Sequence, residues 1–177
     1  MMFTKFSKKT LEAVRRRYAG KPFMSIDPGH YGCAVPWTGS EQRTPGTPIL
    51  LRSGVAADEI GEAAAAAGIS LFVVEQPYVG KNVQSALRAA ESQGIVYGRL
   101  QSYVPVVHVV RVAPSSWQTV IPCPEGMKRT RQWVEEQMQE RWKGTAWYES
   151  HAANMEDLAR EGLRASATIG AWWREVC

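Results

Sequence analysis

Leu71-Phe72-Val73-Val74-Glu75-Gln76-Pro77-Tyr78-Val79-Gly80-Lys81-Asn82 runs from four apolar residues into an acid, a loop and the start of a helix. The apolar run is short and rich in β-branched and aromatic residues, which predicts a buried strand. Glu75 then falls at the strand's carboxyl end, where open α/β sheets place their sites. The loop carries an aromatic and a lysine, and Ser85-Ala86-Leu87-Arg88 continues into a helix beyond it.

Upstream, Phe23-Met24-Ser25-Ile26 predicts a first strand, ended by the Asp27-Pro28-Gly29 turn. Tyr31 to Trp37 predicts a second strand, antiparallel to the first because the connection is tight. Gly39 to Thr47 reads as a polar loop, and Ile49 to Leu51 as a short third strand. Ala56 to Ala67 predicts a helix whose alanines suit close packing on a sheet, closed by Gly68 as a C-cap. After the fourth strand come a helix over Val83 to Leu100, a fifth strand over Val104 to Val110, and a short helix over Pro114 to Ile121. Met127 to Lys143 predicts a longer helix, and Asn154 to Trp173 the last one. In that last helix Leu158, Gly162, Ala165, Ile169 and Trp172 share one stripe.

Composition sets the outer bounds. A chain of 177 residues suits one α/β domain with a full-sized core. Hydrophobic residues at 45% and charged residues at 21% exclude a disordered or fibrous chain. Lys and Arg exceed Asp and Glu, for a net charge of +4. That excess points to nucleic acid only where the charges gather at a site. Cys33, Cys123 and Cys177 lack CxxC or Cys/His ligand spacing, so reduced thiols are expected in place of a disulfide framework or zinc site. No apolar run approaches a membrane span and no signal-peptide core follows the N-terminus, so no membrane partner and a cytoplasmic location are expected. Residues 1–20 read as a basic N-terminal helix or extension, with Lys5, Lys8, Lys9 and Arg15 to Arg17.

The segment around Glu75, from the strand through Glu-Gln, the aromatic, Lys-Asn and Ser-Ala-Leu to about Gly94, resembles the RuvC-type Holliday-junction resolvases. Ile26-Asp27-Pro28-Gly29 matches the same family's pattern, in which that Asp is a metal ligand. The order of elements is that of the ribonuclease-H-like fold: α/β, a five-stranded mixed sheet flanked by helices. Residues 21–177 would form that nuclease domain. The resemblance implies a metal-dependent endonuclease, dimeric, cutting four-way or branched DNA, with Mg²⁺ as cofactor and Mn²⁺ able to substitute. Element order by itself carries no chemistry, so the site residues must be weighed singly.

Two-metal phosphodiester cleavage needs carboxylates converging on one point, because cations about 4 Å apart must be held and their charge offset. Magnesium prefers oxygen ligands, so Asp and Glu are the expected types. In this fold the first and fourth strands are neighbours, so Asp27 and Glu75 are expected to face each other. An Asp before Pro-Gly also serves as a plain turn residue, and a strand-end Glu can simply be solvated.

The family's closing helix bears two acids three or four residues apart. One alignment puts Glu161 on the first acid and Ala165 on the second. Sliding one turn gives Asp157 and Glu161, four apart and on one helix face, and this pair is preferred as completing the ligands. The alternative is a solvated face in which Glu156, Asp157 and Glu161 pair with Arg160 and Arg164. His151 is a further candidate ligand or proton carrier.

Groups that would hold DNA follow. Tyr78 stands where the resolvases carry an aromatic aimed at the junction's centre, and base stacking on such a ring is worth roughly 1–3 kcal/mol per base. Lys81 and Arg88 flank it, and Asn82 serves equally as a helix N-cap or a DNA contact. Lys128, Arg129 and Arg131 open the second-last helix, where the family places basic residues facing the scissile phosphates. A cation there offsets transition-state charge, and Lys128 is the expected catalytic one. The small residues Ala86, Ala89, Ala90 and Gly94 would permit close helix approach in a homodimer, whose two-fold symmetry suits a four-way junction. Two readings stay open beside the nuclease: a catalytically impaired junction-binding protein, and a ribonuclease-H-like enzyme acting on RNA–DNA hybrid.

Overall fold

The structure is a computed structural model and describes residues 2–4, 8–29, 31–38, 45–51, 55–76 and 83–176. Among the described residues six strands form one mixed sheet: β1 (Met2–Thr4), β2 (Phe23–Asp27), β3 (Cys33–Trp37), β4 (Ile49–Leu50), β5 (Leu71–Glu75) and β6 (His108–Val112). Their spatial order is β1-β6-β5-β2-β3-β4. The five expected strands are all present, and β1 extends them at the edge, pairing parallel with β6. Three residues are too few to show the alternation by which strands are read.

Among the described residues there are seven α-helices: α1 (Lys8–Tyr18), α2 (Val55–Ala66), α3 (Val83–Tyr103), α4 (Pro114–Trp117), α5 (Arg131–Trp142), α6 (Ala146–Ala152) and α7 (Asp157–Val176). Alternation along the strands divides the core in two. Phe23, Cys33, Val35, Leu71 and Val73 face α1, α5, α6 and α7. Met24, Ile26, Ala34, Phe72 and Val74 face α2 and α3. The N-terminal helix packs on the domain, since Leu11, Val14 and Tyr18 are buried in the first of these cores. Burying side chains such as Leu11 and Val14 contributes about 1.5–3 kcal/mol each.

Boundaries moved where capping overrode pattern. Gly68 does end its helix, with φ of 62° and Ile69 N–H bonded back to Ala64. α3 runs on to Tyr103, so the following strand is His108–Val112 and not Val104–Val110. α5 begins only at Arg131 because Thr130 caps it, its hydroxyl accepting from the Trp133 N–H at 3.2 Å.

Candidate active site

β2 and β5 are parallel neighbours with Ile26 opposite Val74. The next residue on each strand is an acid: Asp27 and Glu75. Phe23 and Leu71 point to the α7 side of the sheet, so two-residue parity sends Asp27 and Glu75 there as well. Both end their strands at the sheet's carboxyl rim. The tight turn after Asp27 holds its side chain, the Gly29 N–H donating to Oδ1 at 3.1 Å. The Gln93 amide of α3 donates to the Glu75 carbonyl at 3.1 Å and ties the second strand end.

α7 crosses this rim closely. A Cβ on Gly162 would sit 2.2 Å from the Tyr31 carbonyl oxygen, so only glycine lets the helix backbone come down on the β2–β3 turn. One turn on, the buried Ser166 hydroxyl donates to the Ser25 carbonyl at 2.8 Å. This docking carries Glu161 to the acids of the sheet. Asp27, Glu75 and Glu161 line one cavity of about 670 Å³, together with Glu135, Arg129, Arg131, Trp117 and Leu158.

Crowding of like charges in a desolvated place shows in the acidities. Burial pushes Asp27 up to about 6, the Gly29 N–H opposes the rise, and the charge of Glu161 adds to it. Burial pushes Glu75 up to about 8, with the charge of Asp27 next, and the Trp117 indole pulling back. Burial raises Glu135 to about 7, helped by its hydrogen bond with Glu161. Glu161 goes the other way: burial raises it, but hydrogen bonds with Glu135 and Arg131 outweigh burial and the net direction is down. The Arg131 guanidinium lies 2.7 Å from Glu161 and 4.0 Å from Glu135.

Two expected site residues stand outside this cavity. Asp157 does not join the cavity. It opens α7, where side chains lean towards the helix N-terminus. Its carboxylate is almost fully exposed and pairs with Arg160 at 3.2 Å, on the wall of a separate pocket. Lys128 is exposed in the loop before α5 and does not line the cavity, whereas Arg129 and Arg131 do. His151 is engaged elsewhere, its Nδ1 2.7 Å from the Trp147 carbonyl. Tyr78, Lys81 and Asn82 lie outside the described residues, as does the side chain of Arg88. The sequence reading missed Glu135 and Trp117. Glu135 stands one helical turn after Arg131, and that spacing was the available signal.

The donors fit a hard divalent cation. Asp27, Glu75 and Glu161 offer only oxygens, and the raised pKa values of Asp27 and Glu75 mark buried negative charge that a cation would relieve. Among the described residues, no group of three or more His, Cys, Asp or Glu stands close enough to clasp an ion as arranged.

No protein-family model matches the chain, and no curated protein matches it by sequence. Solved structures do. A Thermus thermophilus RuvC structure aligns with TM-score 0.56 at 12% identity, covering 88% of this chain and 96% of its own. T. thermophilus RuvC in complex with a Holliday junction substrate aligns with TM-score 0.53 at 10% identity over the same shares. The yeast mitochondrial Holliday junction resolvase Ydc2 aligns with TM-score 0.53 at 12% identity, covering 97% of this chain and 85% of its own. The chain therefore has the ribonuclease-H-like α/β fold of the RuvC and Ydc2 structures.

Proposed function

We propose that the chain is a metal-dependent endonuclease that cuts four-way or branched DNA as a homodimer, in recombination or repair. The observation that carries this reading is the pairing of Asp27 and Glu75 at adjacent parallel strand ends, with Glu161 brought over them by α7. The fold shared with RuvC supports it, since that protein has been seen in complex with a Holliday junction substrate.

Mg²⁺ or Mn²⁺, when bound, would supply a Lewis acid at the scissile phosphate and lower the pKa of an attacking water. Asp27, Glu75 and Glu161 would hold it through their carboxylate oxygens. Because burial and the charge of a neighbouring carboxylate (Glu161 for Asp27, Asp27 for Glu75) raise both, these acids accept a proton or a cation readily. Arg129 and Arg131 stand on the same cavity wall and would offset phosphate charge. The loop of Tyr78, Lys81 and Asn82 follows Glu75 directly in sequence and remains the proposed probe of the junction centre, with Arg88 beside it. α3 offers a dimer face: Leu87 and Ile95 are large, apolar and exposed there, with Ala90 and Gly94 between them. Among the described residues no helix is long and apolar enough to cross a membrane, and work on DNA would place the protein in the cytoplasm of a bacterium or infected host.

The test uses the purified chain with a labelled four-way junction, a linear duplex and an RNA–DNA hybrid, with and without Mg²⁺. Paired symmetric nicks in the junction alone are expected. Tight junction binding without product under Mg²⁺ or Mn²⁺ would mark an impaired junction-binding protein instead. Preferential cutting of the hybrid would mark a ribonuclease.

A further inference from the structure

We propose that Glu135, borne by α5, is the fourth carboxylate of this site and fills the role of a second acid on α7; the proposal rests on the metal-dependent reading above. α7 presents Leu158, Glu161, Gly162 and Ala165 to the cavity, so one turn before and one turn after Glu161 the helix offers no acid. Glu135 stands in the same cavity. It is hydrogen-bonded to Glu161, and its charge reaches Glu75 just as that of Glu161 reaches Asp27. Each strand acid thus has a helix acid against it.

The local chemistry supports a ligand role over an incidental one. Arg131 and Glu135 lie one turn apart on α5, and the guanidinium spans Glu161 and Glu135. Glu135 is only partly exposed, which a solvated surface glutamate would not need to be. Trp117, which is 3% exposed, lines the same cavity, and its indole acts on the Glu75 carboxylate, so strand acid and helix acids share one buried wall.

The experiment measures Mn²⁺ affinity by titration calorimetry and by the electron-spin resonance of free Mn²⁺ on the full chain. The variants are Glu135→Gln, Glu135→Asp, Glu135→Gln with Leu158→Asp, and Glu136→Gln as the control on the exposed side of α5. Glu135→Gln should weaken Mn²⁺ binding by roughly tenfold or more, the scale of loss when partners of a metal ligand are removed. Glu136→Gln should bind as wild type does, and Leu158→Asp should restore part of the loss by returning an acid to α7. If Glu135→Gln does not fold, a smaller loss in Glu135→Asp reads the same role. Unchanged Mn²⁺ affinity in either Glu135 variant, with a wild type that binds and cuts, would overturn this assignment and leave the nuclease reading standing. A wild type that neither binds Mn²⁺ nor cuts would remove both.

Discussion

Asp27 and Glu75 stand side by side one position beyond the Ile26–Val74 pair, on adjacent parallel strands and on the α7 face of the sheet. Burial raises both carboxylates, the charge of Glu161 adds to the rise at Asp27 and that of Asp27 to the rise at Glu75, and the two reach about 6 and about 8. Such a pair is poorly stable as two bare anions. A cation, a proton or a rearrangement must relieve it.

Asp27→Asn keeps the side chain's size and the Gly29 contact but removes the charge. Junction cleavage should fall by about a hundredfold or more, the scale lost with one preorganised electrostatic group, while junction affinity stays close to wild type. Parallel cleavage and gel-shift titrations measure both. Cleavage at the wild-type rate would take Asp27 out of the chemistry.

Stability without metal should depend on pH in a defined direction. Asp27, Glu75 and Glu135 bind protons more tightly folded than unfolded, since their folded values are raised from 3.8, 4.5 and 4.5. Their contribution is intact below about pH 4 and is lost as pH rises towards about 8. In EDTA the melting temperature should therefore fall across that window. Glu75→Gln should flatten the fall and stabilise the protein at pH 8 by on the order of a few kcal/mol. A melting curve in which Glu75→Gln is no more stable than wild type at pH 8 would contradict the strained pair.

Gly162→Ala tests the docking that delivers Glu161. The added methyl meets the Tyr31 carbonyl, and overpacking of this kind costs typically about 1–3 kcal/mol. For a chain of this size the melting temperature should drop by roughly 2–4 °C per kcal/mol. Cleavage should fall further than stability alone explains, because Glu161 moves with the helix. Wild-type melting and cleavage together would mean the helix has slack there.

Arg131→Ala separates DNA contact from acid pairing. Removing one phosphate-binding cation should weaken binding evenly across junction sequences and lower the salt slope by about 1. An unchanged slope would leave Arg131 with its ion pairs to Glu161 and Glu135 alone.

Much of this was legible in the linear chain because strands announce their own ends. The apolar run to Val74 and the Asp-Pro-Gly turn put Asp27 and Glu75 at strand termini, and parity along each strand sets their common face. Helical acids are harder to read. Asp157 and Glu161 share a face by spacing, yet spacing does not say how far along the helix the sheet reaches, and Gly162 over Tyr31 fixes that only in three dimensions. Glu135 comes from another helix, and no local pattern announces the docking of α5 beside α7. β1 was invisible for a simpler reason, being three residues long.

The most direct measurement is anomalous diffraction from crystals soaked in Mn²⁺. Manganese peaks within coordinating distance of both Asp27 and Glu75, with Glu161 closing over them, are the expected result. Crystals in which manganese binds elsewhere, or in which Asp27 and Glu75 share no peak, would contradict the site.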